Sequence, residues 1–228
     1  MDHSRTDTEL VVAIDGPSGS GKSSTAREVA RRLRLAHLDT GAMYRAVACE
    51  VARRGIAPAT DPQAVVDIAE HSDLVIDTAA GADHVVIDGH DVTEEIRDPR
   101  TSASVSAVAT IVAVRRALTA RMRRIVDEQG RRIVVEGRDI TTVVCPDAQV
   151  RVLLVADPQV RIARRQAELG EQVDREKVTD SIVRRDRDDS TVSSFQAPAQ
   201  GVSVIDSTFL GLEEVVERVL ELCSRATG

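Results

Sequence analysis

Apolar positions along the 228 residues follow two rhythms. Short, nearly continuous apolar runs stand at Leu10–Asp15, Ala36–Leu38, Arg132–Glu136, Val150–Val155 and Val202–Asp206. Runs that do not alternate predict strands buried on both faces, as in a parallel sheet. Between and after them, Gly21–Leu35, Ala42–Arg54, Val112–Gln129, Pro158–Leu169, Arg175–Asp188 and Leu212–Ser224 show helical spacing. Asp157-Pro158 supplies an N-cap followed by proline at N1, a clean helix start. Strands alternating with helices predict an α/β fold, a central five-stranded parallel sheet flanked by helices. One stretch breaks the rhythm. Leu74–Thr78 and His84–Gly89 are β-rich and flank Ala79-Ala80-Gly81-Ala82-Asp83, which predicts an antiparallel hairpin. The expected organisation is one domain over residues 10–228 with a small inserted β subdomain at about 60–100.

Composition narrows the classes. No apolar run reaches about eighteen residues, so no transmembrane helix is expected. Met1 to Glu9 is polar and lacks an apolar h-region; it is expected to be a disordered tail rather than a secretory signal. Cys49, Cys145 and Cys223 form no C-x-x-C and read as small buried hydrophobes in a reducing cytoplasm. The net charge of −7 argues against nucleic acid as a partner. Lysine occurs only at Lys22 and Lys177, so positive charge is almost all arginine, whose fork suits phosphate. His3, His37, His71, His84 and His90 show neither metal spacing nor a serine or cysteine partner, and none reads as catalytic.

The chemistry starts at Gly16, where the chain reads Gly-Pro-Ser-Gly-Ser-Gly-Lys-Ser through Ser23. This is the phosphate-binding loop pattern, and it lies between an apolar strand and a helical stretch as the physics requires. Glycines let the backbone curl so that successive N–H groups surround an anion, and the following helix adds the positive end of its dipole. Gly16, Pro17, Ser18, Gly19, Ser20, Gly21, Lys22, Ser23 and Ser24 are therefore the expected contacts of a nucleoside triphosphate. Lys22 would reach its outer phosphates and the Ser23 hydroxyl would bind magnesium.

Other charged groups cluster at strand ends. Glu136 closes the third long run and can orient magnesium-bound water, since that ion keeps several waters. Gly137, Arg138 and Asp139 follow as a turn carrying both signs of charge at the carboxyl end of the sheet, where open α/β folds bind ligands. Asp39 to Arg45 leaves the second strand in the same way; Thr40 also reads as an N-cap, and Tyr44 as core. Arg45 near a helix start opposes the helix dipole, which marks it for an anion. Arg161, Arg164 and Arg165 share one helix face and read either as a phosphate-clamping lid or as a solvated surface. Arg184, Arg185 and Arg187, interleaved with Asp186, Asp188 and Asp189, read as a salt-bridge lattice. Arg31, Arg32 and Arg34 read as a solvated face.

Three segments together resemble the bacterial cytidylate kinases: Asp39-Thr-Gly-Ala-Met-Tyr-Arg45, Glu136-Gly-Arg-Asp-Ile140 with Pro146-Asp147-Ala148, and Arg185-Asp-Arg-Asp-Asp-Ser190. Glu94-Glu95-Ile96-Arg97 resembles that family's insertion. The resemblance runs from about Leu10 to the carboxyl terminus. It implies a P-loop fold with a monophosphate-binding subdomain and a mobile lid at about 158–175, transfer of phosphate from ATP to CMP or dCMP with Mg2+, and a monomer. By position, Thr40, Tyr44 and Arg45 would face the monophosphate, with Arg45 and Arg138 on its phosphate. Ser106, Arg115 and Asp139 would read the base, and Arg185 and Asp189 would lie at sugar and phosphate. Lys22, Arg138, Arg161 and Arg165 would carry the catalytic charge. Thr141, Cys145 and Val192 depart from the pattern, where glycine, phenylalanine and arginine are usual. On the residues alone two other classes stay open: a P-loop kinase of a non-nucleotide such as shikimate or gluconate, and a regulatory NTPase.

Overall fold

The computed structural model describes residues 8–169, 176, 178–180, 182–183, 187 and 198–227. Strands β1 (Leu10–Asp15), β2 (Ala36–Asp39), β6 (Arg132–Gly137), β7 (Val150–Val155) and β8 (Ser203–Asp206) form one sheet in the order β2-β6-β1-β7-β8. Every neighbouring pair in it is parallel. Helices α1 (Lys22–Leu33), α2 (Thr40–Arg53), α3 (Pro62–His71), α4 (Pro99–Ala109), α5 (Val112–Glu128), α6 (Pro158–Leu169) and α7 (Leu212–Thr227) surround it. β1 runs between β6 and β7; the chain passes from its end to β2, on the far side of β6, and later from β6 to β7, on the other side of β1. That reversal of direction opens a crevice at the carboxyl end of β1, where α/β sheets bind ligands.

Both faces of β1 are buried, and its residues divide between two cores. Leu10, Val12 and Ile14 pack with Ala26, Val29 and Ala30 of α1 and with Val215, Val216 and Val219 of α7. Val11 and Ala13 pack with Met43 and Ala46 of α2, Val65 and Ile68 of α3, and Val114 and Leu118 of α5. This double burial is why the run does not alternate in sequence. It also fixes which face each strand-end carboxylate serves.

The predicted hairpin is present. β3 (Leu74–Ile76) and β4 (Val85–Ile87) pair antiparallel, and β5 (His90–Asp91) adds a third strand. This small sheet is tied to the main one where the His37 amide donates to the Thr78 carbonyl at 2.8 Å. Asp83 adds a second tie, at 3.3 Å from Arg27 on α1 and 2.7 Å from Arg97 beyond the hairpin. Helices α3 and α4 were not expected. Asp61 caps α3 by accepting from the Ala64 amide at 3.1 Å, and Asp98 caps α4 by accepting from the Arg100 amide at 2.7 Å. Both helices therefore start on Asp-Pro, as α6 does. The helix expected at Arg175–Asp188 falls largely outside the described residues. At the other end Glu9, assigned to the tail, lies 3.0 Å from Arg131.

Candidate active site

The loop after β1 curls through left-handed backbone at Gly19 (φ +74°) and Gly21 (φ +90°). A Cβ on Gly19 would meet the Arg161 carbonyl oxygen at 2.5 Å, so side chains are barred there by space as well as by φ. Helix α1 then begins with no side-chain cap, unlike α2, α3 and α4, each of which an aspartate caps. Its first turn carries no acidic residue either. The first turn's amides therefore keep their hydrogen-bonding capacity for an anion, at the positive end of the dipole.

One cavity of about 540 Å³ opens at this point, bordered by Ser18, Gly19, Gly21, Lys22, Ser23 and Ser24 of the loop and helix start. Thr40, Tyr44, Arg45, Arg115, Glu136, Arg138, Asp139 and Arg165 line the same cavity. Residues dispersed over more than a hundred positions are thus brought to one space. Gly16, Pro17 and Ser20 belong to the loop but lie outside the lining, and so does Ser106, although its helix neighbours Val105 and Ala109 border the cavity. Arg185, Asp189 and Val192 lie outside the described residues.

Glu136 is almost wholly buried, and its Oε2 accepts a hydrogen bond from the Ser23 hydroxyl at 2.8 Å. Its Oε1 has no hydrogen-bond partner among the described residues. A serine hydroxyl beside a buried carboxylate is a hard-oxygen donor set, which fits a magnesium ion that keeps some of its waters. The backbone of Glu136 is itself held, because the Thr40 hydroxyl donates to its carbonyl at 2.7 Å. Thr40 is therefore not an N-cap. Asp39 caps α2, accepting from the Ala42 amide at 3.0 Å and from Arg45 at 2.8 Å. The cation that opposed the helix dipole is thus balanced by the carboxylate at the cap. Tyr44 combines both readings, packing against the core while bordering the cavity.

Burial would raise the pKa of Asp39, but Arg45, with His37 and Lys22, holds it down at about 2. A carboxyl depressed in the folded state stabilises the fold above its unfolded value, 3.8, and that stability is lost as pH falls toward 2. Asp39→Asn keeps a competent cap but removes this titration. Between about pH 4 and pH 2, wild type should therefore lose more of its urea resistance than the variant does. Parallel losses would mean that Asp39 does not contribute.

On the opposite face of the sheet, Asp15 ends β1 with its carboxylate buried. It accepts from the Ile140 amide at 2.8 Å, the Thr141 amide at 2.9 Å and the Thr141 hydroxyl at 2.6 Å. Burial pushes its pKa up against these three bonds. The turn that carries Asp139 is thereby pinned to the strand that leads into the phosphate loop. The side chain of Thr141, a departure from the resembled pattern, supplies one of the pins. Thr141→Val should cost about 1–3 kcal/mol, because it strands part of a buried carboxylate. Urea denaturation measures that loss, and an unchanged midpoint would show that the two backbone bonds suffice.

Arg115 of α5 forms an ion pair with Asp139 of that turn, and both side chains are mostly buried. Arg138 donates to the Gly16 carbonyl and so links the turn to the start of the loop. The three α6 arginines separate. Arg161 is buried and donates to the Ser18 carbonyl at 3.1 Å, bracing the loop from behind. Arg164 donates to the Ser207 hydroxyl at 2.9 Å and to the Ser207 carbonyl at 2.7 Å. Arg165 borders the cavity. Cys145 is buried with its thiol pushed up to about 11 by desolvation, so it fills space rather than reacting.

The site residues that sequence reasoning missed are Asp15 and His37. Each sits inside an apolar strand run, and a polar residue there is a signal in itself, because it must find a partner when buried.

A glycine-rich loop at the carboxyl end of a parallel sheet, feeding an uncapped helix that begins with Lys-Ser, defines a P-loop nucleotide-binding enzyme. Within that class the chain belongs to the cytidylate kinase family, whose sequence model matches residues 12–225. A relative named cytidylate kinase in Cutibacterium acnes is 69% identical over 213 residues, covering 93% of this chain and 95% of that protein. One of the same name in Rhodococcus opacus is 44% identical over 226 residues, covering 97% of each. The crystal structure of an uncharacterized protein from Eubacterium ventriosum superposes with a TM-score of 0.51 at 10% identity, covering 95% of this chain and 99% of that one. That likeness speaks for the α/β fold alone.

Proposed function

We propose that the protein is an ATP-dependent kinase of CMP and dCMP, releasing ADP and the corresponding diphosphate. The observation that carries the reading is that the phosphate loop's Lys22 and Ser23 and the Arg115–Asp139 pair border one cavity. Cytosine offers an amino donor at N4, which a carboxylate accepts, and acceptors at N3 and O2, which a guanidinium satisfies. Family membership supports the same substrates, and neither a non-nucleotide kinase nor a regulatory NTPase has comparable support.

In this reading the loop amides, Lys22 and Ser24 hold the ATP phosphates. Arg45 and Arg138 take the acceptor phosphate, with Thr40 and Tyr44 beside it and Arg185 and Asp189 completing the sugar and phosphate contacts. Arg115, Asp139 and Ser106 recognise the base. Ser23 and, through water, Glu136 hold Mg2+, which neutralises charge on the phosphates when bound. Phosphoryl transfer needs positioning and charge stabilisation more than a covalent nucleophile. Arg138, Arg161 and Arg165 supply that charge with Lys22, and Arg161 does so while bracing the loop. The segment at about 60–100 serves as the monophosphate-binding subdomain and that at about 158–175, of which residues 170–175 lie outside the described residues, as the lid.

Among the described residues no helix is long and apolar enough to cross a membrane. The three cysteines are free and buried, which suits a reducing cytoplasm. The enzyme acts there on free nucleotides as a monomer, and its net charge of −7 disfavours polyanion binding. The test is ADP release from ATP with a panel of nucleoside monophosphates and sugar acids. Turnover should rise with CMP and dCMP and stay at background with shikimate or gluconate. Release independent of every acceptor would instead mark a regulatory NTPase.

A further inference from the structure

His37 lies on β2, where the register sets it opposite Val134 and sets Asp39 opposite Glu136. His37 and Glu136 are therefore diagonal neighbours on adjacent strands, within reach for long side chains. Both are buried, and the His37 Nε2 stands 3.8 Å from the Glu136 Oε1. Neither atom has a hydrogen-bond partner among the described residues. Two buried polar atoms that lack partners and face each other are costly apart and favourable once joined. The separation exceeds a hydrogen bond by less than 1 Å, and a small rotation of the carboxylate closes it.

We propose that His37 is a positioning residue for the metal-site carboxylate: its Nε2–H donates to Oε1 of Glu136 when Oε2 turns to the ion's water. The imidazole ring supplies that donor through its Nε2–H. The strand that carries it is fixed, because the His37 amide donates to Thr78 at 2.8 Å. Ser23 holds one oxygen of Glu136 at 2.8 Å, and His37 holds the other, so the carboxylate plane is set from two sides. Partners of this outer kind orient a metal's ligands and are worth roughly 10–100-fold in metal affinity.

The inference rests on Glu136 serving the metal, and the experiment separates the two. Mn2+ replaces Mg2+, and its binding to the full chain with ADP and no acceptor is read from the loss of the free-ion EPR signal. His37→Met fills the space without a donor and should weaken Mn2+ binding roughly 10–100-fold. His37→Gln, whose amide nitrogen reaches the position of Nε2, should restore most of it. In the Glu136→Gln background His37→Met should add no further loss, which a merely structural role would not reproduce. If His37→Met does not fold, His37→Asn, too short to reach Oε1, takes its place with the same expectation. Wild-type affinity without the donor, no recovery in His37→Gln, or an equal loss in the Glu136→Gln background would overturn the proposal. Unaltered Mn2+ binding in Glu136→Gln alone would overturn the metal assignment along with it.

Discussion

Lys22→Ala is expected to lower kcat with CMP by roughly 10²–10³ while the thermal midpoint stays close to that of wild type. Lys22 opens α1 at the uncapped end and borders the cavity rather than either hydrophobic core. It is a member of neither core cluster, so its removal should cost little packing. What it takes away is a fixed positive charge where negative charge moves from donor to acceptor, in a cavity where electrostatic effects are larger than in water. A small secondary change is expected at Asp39, because Lys22 is one of the cations that hold its pKa near 2. The measurement is kcat at saturating ATP and CMP beside a thermal melt. A variant that keeps most of its turnover would remove Lys22 from the chemistry. A variant that melts far earlier would make it a structural residue.

The elements that were legible in the chain are those whose burial leaves a pattern. β1 is buried on both faces and β7 is buried on one and partly buried on the other, and both leave apolar runs in the sequence. Helix α6 announced itself by Asp157-Pro158, and the Asp157 side chain does accept from the Gln159 amide at 2.8 Å. The same dipeptide stands at Asp61-Pro62 and Asp98-Pro99, where α3 and α4 begin without the long apolar periodicity that marks the other helices. Helix α4 is the harder case, since serine has low helical propensity and the Ser104 hydroxyl donates to the Thr101 carbonyl at 2.9 Å.

The phosphate loop could be read because its function requires fixed spacing over eight consecutive residues. The polar contacts behind it could not. Asp15 meets Thr141 of the helical turn after β6, and His37 lies beside Glu136 through sheet register, at separations that no local pattern carries. Arg161 shows the converse limit. Helical spacing placed it beside Arg164 and Arg165, yet it is buried against Ser18 while Arg165 borders the cavity. Periodicity gives the face of a helix; which carbonyl a guanidinium finds depends on what packs there.

Asp139→Asn is expected to reduce the preference for CMP over UMP by roughly 10–150-fold, the equivalent of one charge-assisted hydrogen bond. In wild type the carboxylate is held by the Arg115 ion pair, mostly out of water, at the border of the cavity. As the proposed reader of the base, it would accept there from the N4 amino group of cytosine and repel the O4 carbonyl of uracil. Sites built to bond a particular polar group discriminate strongly, because the wrong base leaves buried groups unpaired. An asparagine amide can donate to O4, so the variant gains on UMP as it loses on CMP. Both substrates also suffer a common loss, since Arg115 keeps its charge but no longer faces a carboxylate. The ratio of kcat/KM for CMP to that for UMP cancels this common part. Asp15 and Thr141 hold the turn in either case, so the backbone that presents residue 139 should not move. An unchanged ratio would show that Asp139 serves only to position Arg115, and that the base is read by the guanidinium alone.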